Sequence, residues 1–197
     1  MRDPYARAEP AVPAASPAEP GARRSLRALL RGGPLGRAIA RADLRLYRLI
    51  RAAARPPLLA PVGRFSALGE HAAGWIVLGL GGMAVDAPRR GRWRRAVVCV
   101  AGTYLLNTAI KGLFRRARPA LEEFPALVAT PTALSFPSAH ASSSFAAARA
   151  YSALLPAGPL YATAVAMALS RVYLGVHYPT DIAAGALLGT IAGSAGR

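Results

Sequence analysis

Glutamine is absent from this chain, and cysteine and lysine occur once each. A lone Cys99 excludes an internal disulfide framework, and its place in an apolar run reads as a buried, inert thiol. Because lysine is so scarce, the net charge of +16 is almost entirely arginine, 24 residues against Lys111. Neither zinc-finger spacing nor an RNA-recognition signature accompanies these arginines, which argues against nucleic acid as a partner. An anionic membrane surface and a phosphorylated substrate remain. The first twenty residues lack an apolar centre, so no cleavable signal peptide is expected. What is abundant is apolar side chain: 53% of 197 residues. Few soluble domains combine that content with so large a charge, which points to one domain in a membrane.

Residues 1–22 hold five prolines and no apolar period, and read as a disordered tail. Residues 23–67 read as a basic amphipathic arm. Arg37, Arg41, Arg45, Arg48, Arg51 and Arg55 recur at helical spacing, with Leu35, Ile39, Leu46, Leu49 and Ile50 between them, until Pro56 and Pro57 end the helix. Such a helix can lie on anionic headgroups or pack on the rest of the domain. Residues 68–197 then carry five apolar segments, Leu68–Val85, Ala96–Phe114, Ser138–Leu155, Pro159–Val176 and Thr180–Gly196. The expected fold is all-α, a membrane-embedded bundle of about five transmembrane helices preceded by the interfacial helix. The uncharged stretches are short for spans, but five in succession around a basic Arg89–Arg95 connection favour lipid.

Three clusters carry the chemistry. Lys111 to Arg118-Pro119 leaves the second segment, Pro137-Ser138-Ala139-His140 opens the third, and Ser170-Arg171 to His177 and Asp181 joins the fourth to the fifth. An antiparallel bundle gathers all three at one end. Arg118 and Arg171 offer planar forks to phosphate oxygens and Lys111 offers a point charge. The free amides near Ser138 and Ala139 make an anion site at a helix start. Pro179 should open the fifth helix, leaving His177 just outside it and Asp181 in its first turn. Asp181 can then fix one imidazole nitrogen of His177 while the other attacks phosphorus, with His140 as general acid. Taken singly, a histidine at a helix end is commonly a cap, and an arginine near a span end an interfacial anchor. The clustering is what speaks otherwise: the one lysine and two of three histidines fall inside these motifs, with His71 outside.

The clusters resemble the signature of the type-2 phosphatidic acid phosphatase superfamily: Lys-x6-Arg-Pro, Pro-Ser-Gly-His and Ser-Arg-x5-His-x3-Asp. Every defining position matches except the glycine, which is Ala139 here. The resemblance implies a helical bundle and phosphoryl transfer without metal or other cofactor. It implies His177 as nucleophile, Asp181 as its orienting partner and His140 as acid. It assigns phosphate binding to Lys111, Arg118, Ser138, Arg171, Ser170 and the amide of Ala139. Alanine suits that position if its φ is helical and strains it if φ is positive.

The expected function is hydrolysis of a lipid phosphomonoester or diphosphate through a phosphohistidine. Polyprenyl-linked phosphate, phosphatidic acid and phosphatidylglycerophosphate are the substrate candidates. A soluble acid phosphatase or vanadium haloperoxidase of the same superfamily, and a non-catalytic lipid-phosphate binder, are the alternatives. The chain is expected as a multi-pass protein of the cell membrane, its arm on anionic lipid. Its 13 N-terminal arginines put the catalytic end in the cytoplasm. The oligomeric state is not legible.

Overall fold

Proline opens several of the helices, where its missing N–H costs nothing and its fixed φ suits the first turn. The computed structural model describes residues 33–197. The tail of residues 1–22 and the first part of the arm lie outside the described residues. Residues Ile39–Arg197 form one compact unit, whose regular elements are helices, with isolated β-bridges in the long connection between Phe114 and Ala139.

Helix α1, Pro34–Ala52, is amphipathic as expected, but with its polar face inward. Asp43, Tyr47 and Arg51, four residues apart, are buried, while Ile39, Leu46 and Leu49 are exposed. Apolar residues left on the outside of a helix already docked by polar groups suit a lipid surface.

Pro56 and Pro57 do more than end that helix. They are the first residues of α2, Pro56–Ala67. A 3-10 turn, Glu70–Ala72, then leads into α3, Ala73–Val85. His71 and Ala72 take positive φ, 51° and 61°, so the chain bends by 48° between α2 and α3. Together the pair is long and apolar enough for one broken span. Helix α4, Arg90–Phe114, extended by the turn at Ala87–Arg89, is long enough by itself.

The remaining helices are shorter than the apolar segments suggest. These are α5 (Ala139–Tyr151, 13 residues), α6 (Ala157–Tyr173, 17) and α7 (Pro179–Gly193, 15). Thirteen residues rise about 20 Å, less than a hydrocarbon core of about 30 Å. Helix α5 is the inner helix, buried on almost every side from His140 to Tyr151. Its Ser and Ala side chains let α7 approach backbone to backbone. Gly185, Gly189 and Gly193 of α7 face the carbonyls of Ser138, Ser142 and Ala146. A Cβ on Gly189 would overlap Ser142 O and lie 2.9 Å from Ala146 N. Gly189→Ala therefore lowers stability by about 3 kcal/mol, read as a fall in Tm in detergent. Gly81→Ala, in α3 with open space around it, leaves Tm unchanged or raises it. Equal Tm values for the two variants would contradict this packing.

Candidate active site

The end of α4, the start of α5, the end of α6 and the start of α7 meet at one end of the bundle. Each helix terminus delivers its residue by a local device. Arg115, in the left-handed region at φ 46°, closes α4 through its N–H to Lys111 O, and turns the chain into the loop that carries Arg116 and Arg118. At α5, the Ser138 hydroxyl accepts from Ala141 N at 3.4 Å, an N-cap. Pro179 opens α7, and Asp181 at its third position reaches back to Tyr178 N–H at 2.9 Å. Helix capping thus holds the carboxylate beside His177.

His177 is 2% exposed and lies in the α6–α7 connection. Its Nε2 is 3.1 Å from Arg118 Nη1. A guanidinium only donates, so Nε2 accepts with its lone pair and the ring proton sits on Nδ1. Nδ1 faces Asp181 Oδ2 at 3.4 Å. Burial, then the charges of Arg118, Lys111 and Arg171, hold the imidazole pKa well below its ordinary value. The ring is therefore neutral, with its lone pair on the nitrogen that faces an arginine.

Around it stand the basic residues expected from the sequence. Lys111 is 7% exposed and its Nζ donates to Leu134 O and Ser135 O, at 3.1 and 3.4 Å. Arg118 also donates to Thr132 O and Val176 O, both at 2.8 Å. Arg171 Nη1 donates to Ser66 Oγ at 2.8 Å, and its buried Nε has no partner. An orphaned buried donor is costly, and a phosphate oxygen is the kind of acceptor that would relieve it.

Four expected residues remain to be placed. The Ser138 N–H donates to Asp181 O at 3.0 Å, so the free amides at this helix start are those of Ala139 and His140. Ala139 is not among the residues with positive φ and opens α5 in helical geometry, so the missing glycine costs no strain. The Ser170 hydroxyl turns back on Met167 O at 2.7 Å. His140 Nε2 lies 3.1 Å from Ser66 O and 3.9 Å from Glu70 Oε2.

Several participants were not read from the sequence. Ser66 touches both His140 and Arg171, and Gly69 lies so close that a Cβ would be 2.6 Å from His140 Cδ2. The α2–α3 bend thus forms one wall of the site. Asn107, one turn before Lys111, is fully buried with Nδ2 3.3 Å from Pro137 O. Arg116 joins Asp181 and Asp43, at 2.8 and 2.6 Å. His71, outside the motifs, pairs with Tyr104 Oη at 2.7 Å. Among the described residues no three His, Cys, Asp or Glu side chains gather as a metal site would need.

A neutral buried histidine, a carboxylate behind it, a second histidine and three cations gather at one end of a helical bundle, an arrangement suited to phosphoryl transfer. Residues 92–195 match the PAP2 superfamily, and the chain belongs to it. Decaprenylphosphoryl-5-phosphoribose phosphatase of Mycobacterium tuberculosis is 43% identical over 145 residues, covering 71% of this chain and 79% of that one. The protein of the same name from Mycolicibacterium smegmatis is 42% identical over 138 residues, covering 68% and 74%. Among solved structures, Aquifex aeolicus LpxE superposes with a TM-score of 0.67 at 28% identity, over 78% of this chain and 93% of that one. The transmembrane PAP2-type phosphatidylglycerolphosphate phosphatase of Bacillus subtilis shares the fold, with a TM-score of 0.64 at 24% identity over 85% and 87%. The protein is a membrane lipid phosphatase of this superfamily.

Proposed function

We propose that the chain hydrolyses the terminal phosphomonoester of a polyprenyl-linked phosphosugar, with His177 as nucleophile. Support for the substrate class comes from the two mycobacterial relatives, whose names specify a decaprenylphosphoryl-5-phosphoribose. Beside the site, Phe65, Leu68, Trp75, Leu160 and Met167 line an apolar cleft of about 380 Å³ that could take part of a lipid chain. The observation that carries the mechanism is the pairing of His177 Nε2 with Arg118 and Nδ1 with Asp181.

In this reading Lys111, Arg118, Arg171, Ser138 and the Ala139 amide take the phosphate oxygens, and Arg118 leaves Nε2 to do so. Ser170 supports the same wall from within α6. Nε2 attacks phosphorus, the P–O bond to the sugar breaks, and His140 gives a proton to the departing alkoxide. Water, activated by His140, then cleaves the N–P bond and frees phosphate. Two arginines and a lysine neutralise the charge that a metal would otherwise meet.

The five helical segments α2–α3, α4, α5, α6 and α7 cross or enter the membrane as a multi-pass bundle of residues 68–197 with the adjoining α2. Helix α1 of the arm lies on anionic lipid through its outward arginines and the exposed Ile39, Leu46 and Leu49. The arginine-rich N-terminal side supports a cytoplasmic catalytic end. A phosphate-release screen on the detergent-purified protein tests this reading. Phosphate release from the polyprenyl-phosphoryl-5-phosphoribose exceeds that from phosphatidic acid or phosphatidylglycerophosphate, and excess chelator leaves the rate undiminished. No release from any lipid phosphate, or loss in chelator restored by magnesium, would overturn it.

A further inference from the structure

The buried polar face of α1 closes on the segments that flank His177. Tyr47 Oη donates to Gly175 O and Phe124 O, each at 3.3 Å. Arg51 donates from Nη1 to Tyr173 O at 2.9 Å and from Nη2 to Pro125 O at 2.7 Å. Gly175 has φ +81°, and a Cβ there would lie 3.1 Å from Arg51 Nε and 3.2 Å from Tyr47 Oη. The turn before His177 is therefore shaped to fit against α1.

On the other side of His177 the contact is ionic. Asp43, 3% exposed, accepts from Thr180 N at 2.9 Å and from the Thr180 hydroxyl at 2.5 Å. It also accepts from Arg116 Nη2 at 2.6 Å. Arg116 Nη1 donates to Asp181 Oδ1 at 2.8 Å and to Thr180 Oγ1 at 2.7 Å, and its guanidinium lies 4.2 Å from the Tyr178 ring centroid. Asp181 is fully buried, and its two oxygens have different partners. Oδ1 takes Arg116, while Oδ2 takes Tyr178 N–H and faces His177 Nδ1. A carboxylate fixed by one oxygen cannot rotate the other away from the imidazole. The planar fork of arginine, held at one end by Asp43, supplies that fixation.

We propose that α1 is a strap over the dyad, with Arg116 and Asp43 as positioning residues that act through Asp181 on His177. The proposal rests on the reading of His177 and Asp181 as the reactive pair. Both residues sit on the Asp181 side of His177, away from Nε2, so their effect falls on kcat rather than KM. The arrangement resembles the outer partners that orient a ligating histidine at a metal centre, whose loss typically costs about 10–100-fold.

The test uses the full chain in detergent with nitrophenyl phosphate, reading kcat, KM and Tm. Arg116→Met lowers kcat about 10–100-fold with KM unchanged, and Arg116→Lys, which keeps the charge, recovers part of the loss. Asp43→Asn lowers kcat in the same sense by a smaller factor. In the Arg116→Met, Asp181→Asn double variant, kcat equals that of Asp181→Asn alone, because Arg116 has no other route to the reaction. Multiplicative losses in the double variant, or a wild-type kcat in both Arg116→Met and Asp43→Asn, would overturn the strap. If Arg116→Met does not fold, the Asp43→Asn, Asp181→Asn pair decides by the same rule. Should Asp181→Asn itself turn over like the wild type, the dyad reading fails instead.

Discussion

His177→Ala loses turnover by about 10⁵–10⁶-fold, the scale seen when a nucleophile is removed from a preformed site, for lipid and nitrophenyl esters alike. The ring is buried between Arg118 and Asp181, and the Asp181 oxygens are held back by Arg116 and Tyr178 N–H. Lys111 is engaged with Leu134 O and Ser135 O, and arginine has no lone pair to offer. Vanadate inhibits the wild type as a trigonal-bipyramidal mimic of the transition state, and binds His177→Ala much more weakly. Since the three cations remain, orthophosphate still binds the variant, which separates loss of chemistry from loss of the pocket. Turnover within tenfold of wild type would mean that another group attacks.

His140→Ala shows a different pattern, because a general acid matters in proportion to the basicity of what it protonates. With a lipid alkoxide as leaving group the loss is about 10²–10⁴-fold, the range general acid catalysis supplies. With a nitrophenolate, which departs without a proton, much of the first step survives. His140 stands where this role is possible, on α5 across the pocket from the α6–α7 connection, against Ser66 O and the Glu70 carboxylate. Measuring both esters on one preparation removes folding from the comparison. Equal damage to both would show that His140 does not protonate the leaving group.

The three motif clusters were legible because their spacing is local. Six residues separate Lys111 from Arg118 and three separate His177 from Asp181, and helix ends convert such spacings into position. Pro179 announced the start of α7 for the same reason. What escaped depends on distance along the chain. The Asp43–Arg116 pair joins residues 73 positions apart, and nothing in the local pattern of α1 singles out its one aspartate. Periodicity left open whether α1 lies on headgroups or packs on the domain, and could not show that Asp43, Tyr47 and Arg51 turn its polar side inward against carbonyls and an arginine. The bend at Glu70–Ala72 carries its positive φ on His71 and Ala72, so neither glycine nor proline marks those positions. Ser66 joined the site through that bend. Helix α5 was read four residues too long at its C-terminal end, because the apolar run continues through Leu154 and Leu155 after the helix has stopped at Tyr151.

The most direct test of the account is covalent. Wild-type protein mixed with a radiolabelled phosphate ester and quenched in denaturant carries label on His177, as a phosphoramidate that survives alkali and is lost in acid. His177→Ala carries no label with any ester, whereas His140→Ala and nitrophenyl phosphate still give the label. Label retained in His177→Ala, or a wild-type enzyme that turns over without ever carrying label, would contradict the assignment of the nucleophile.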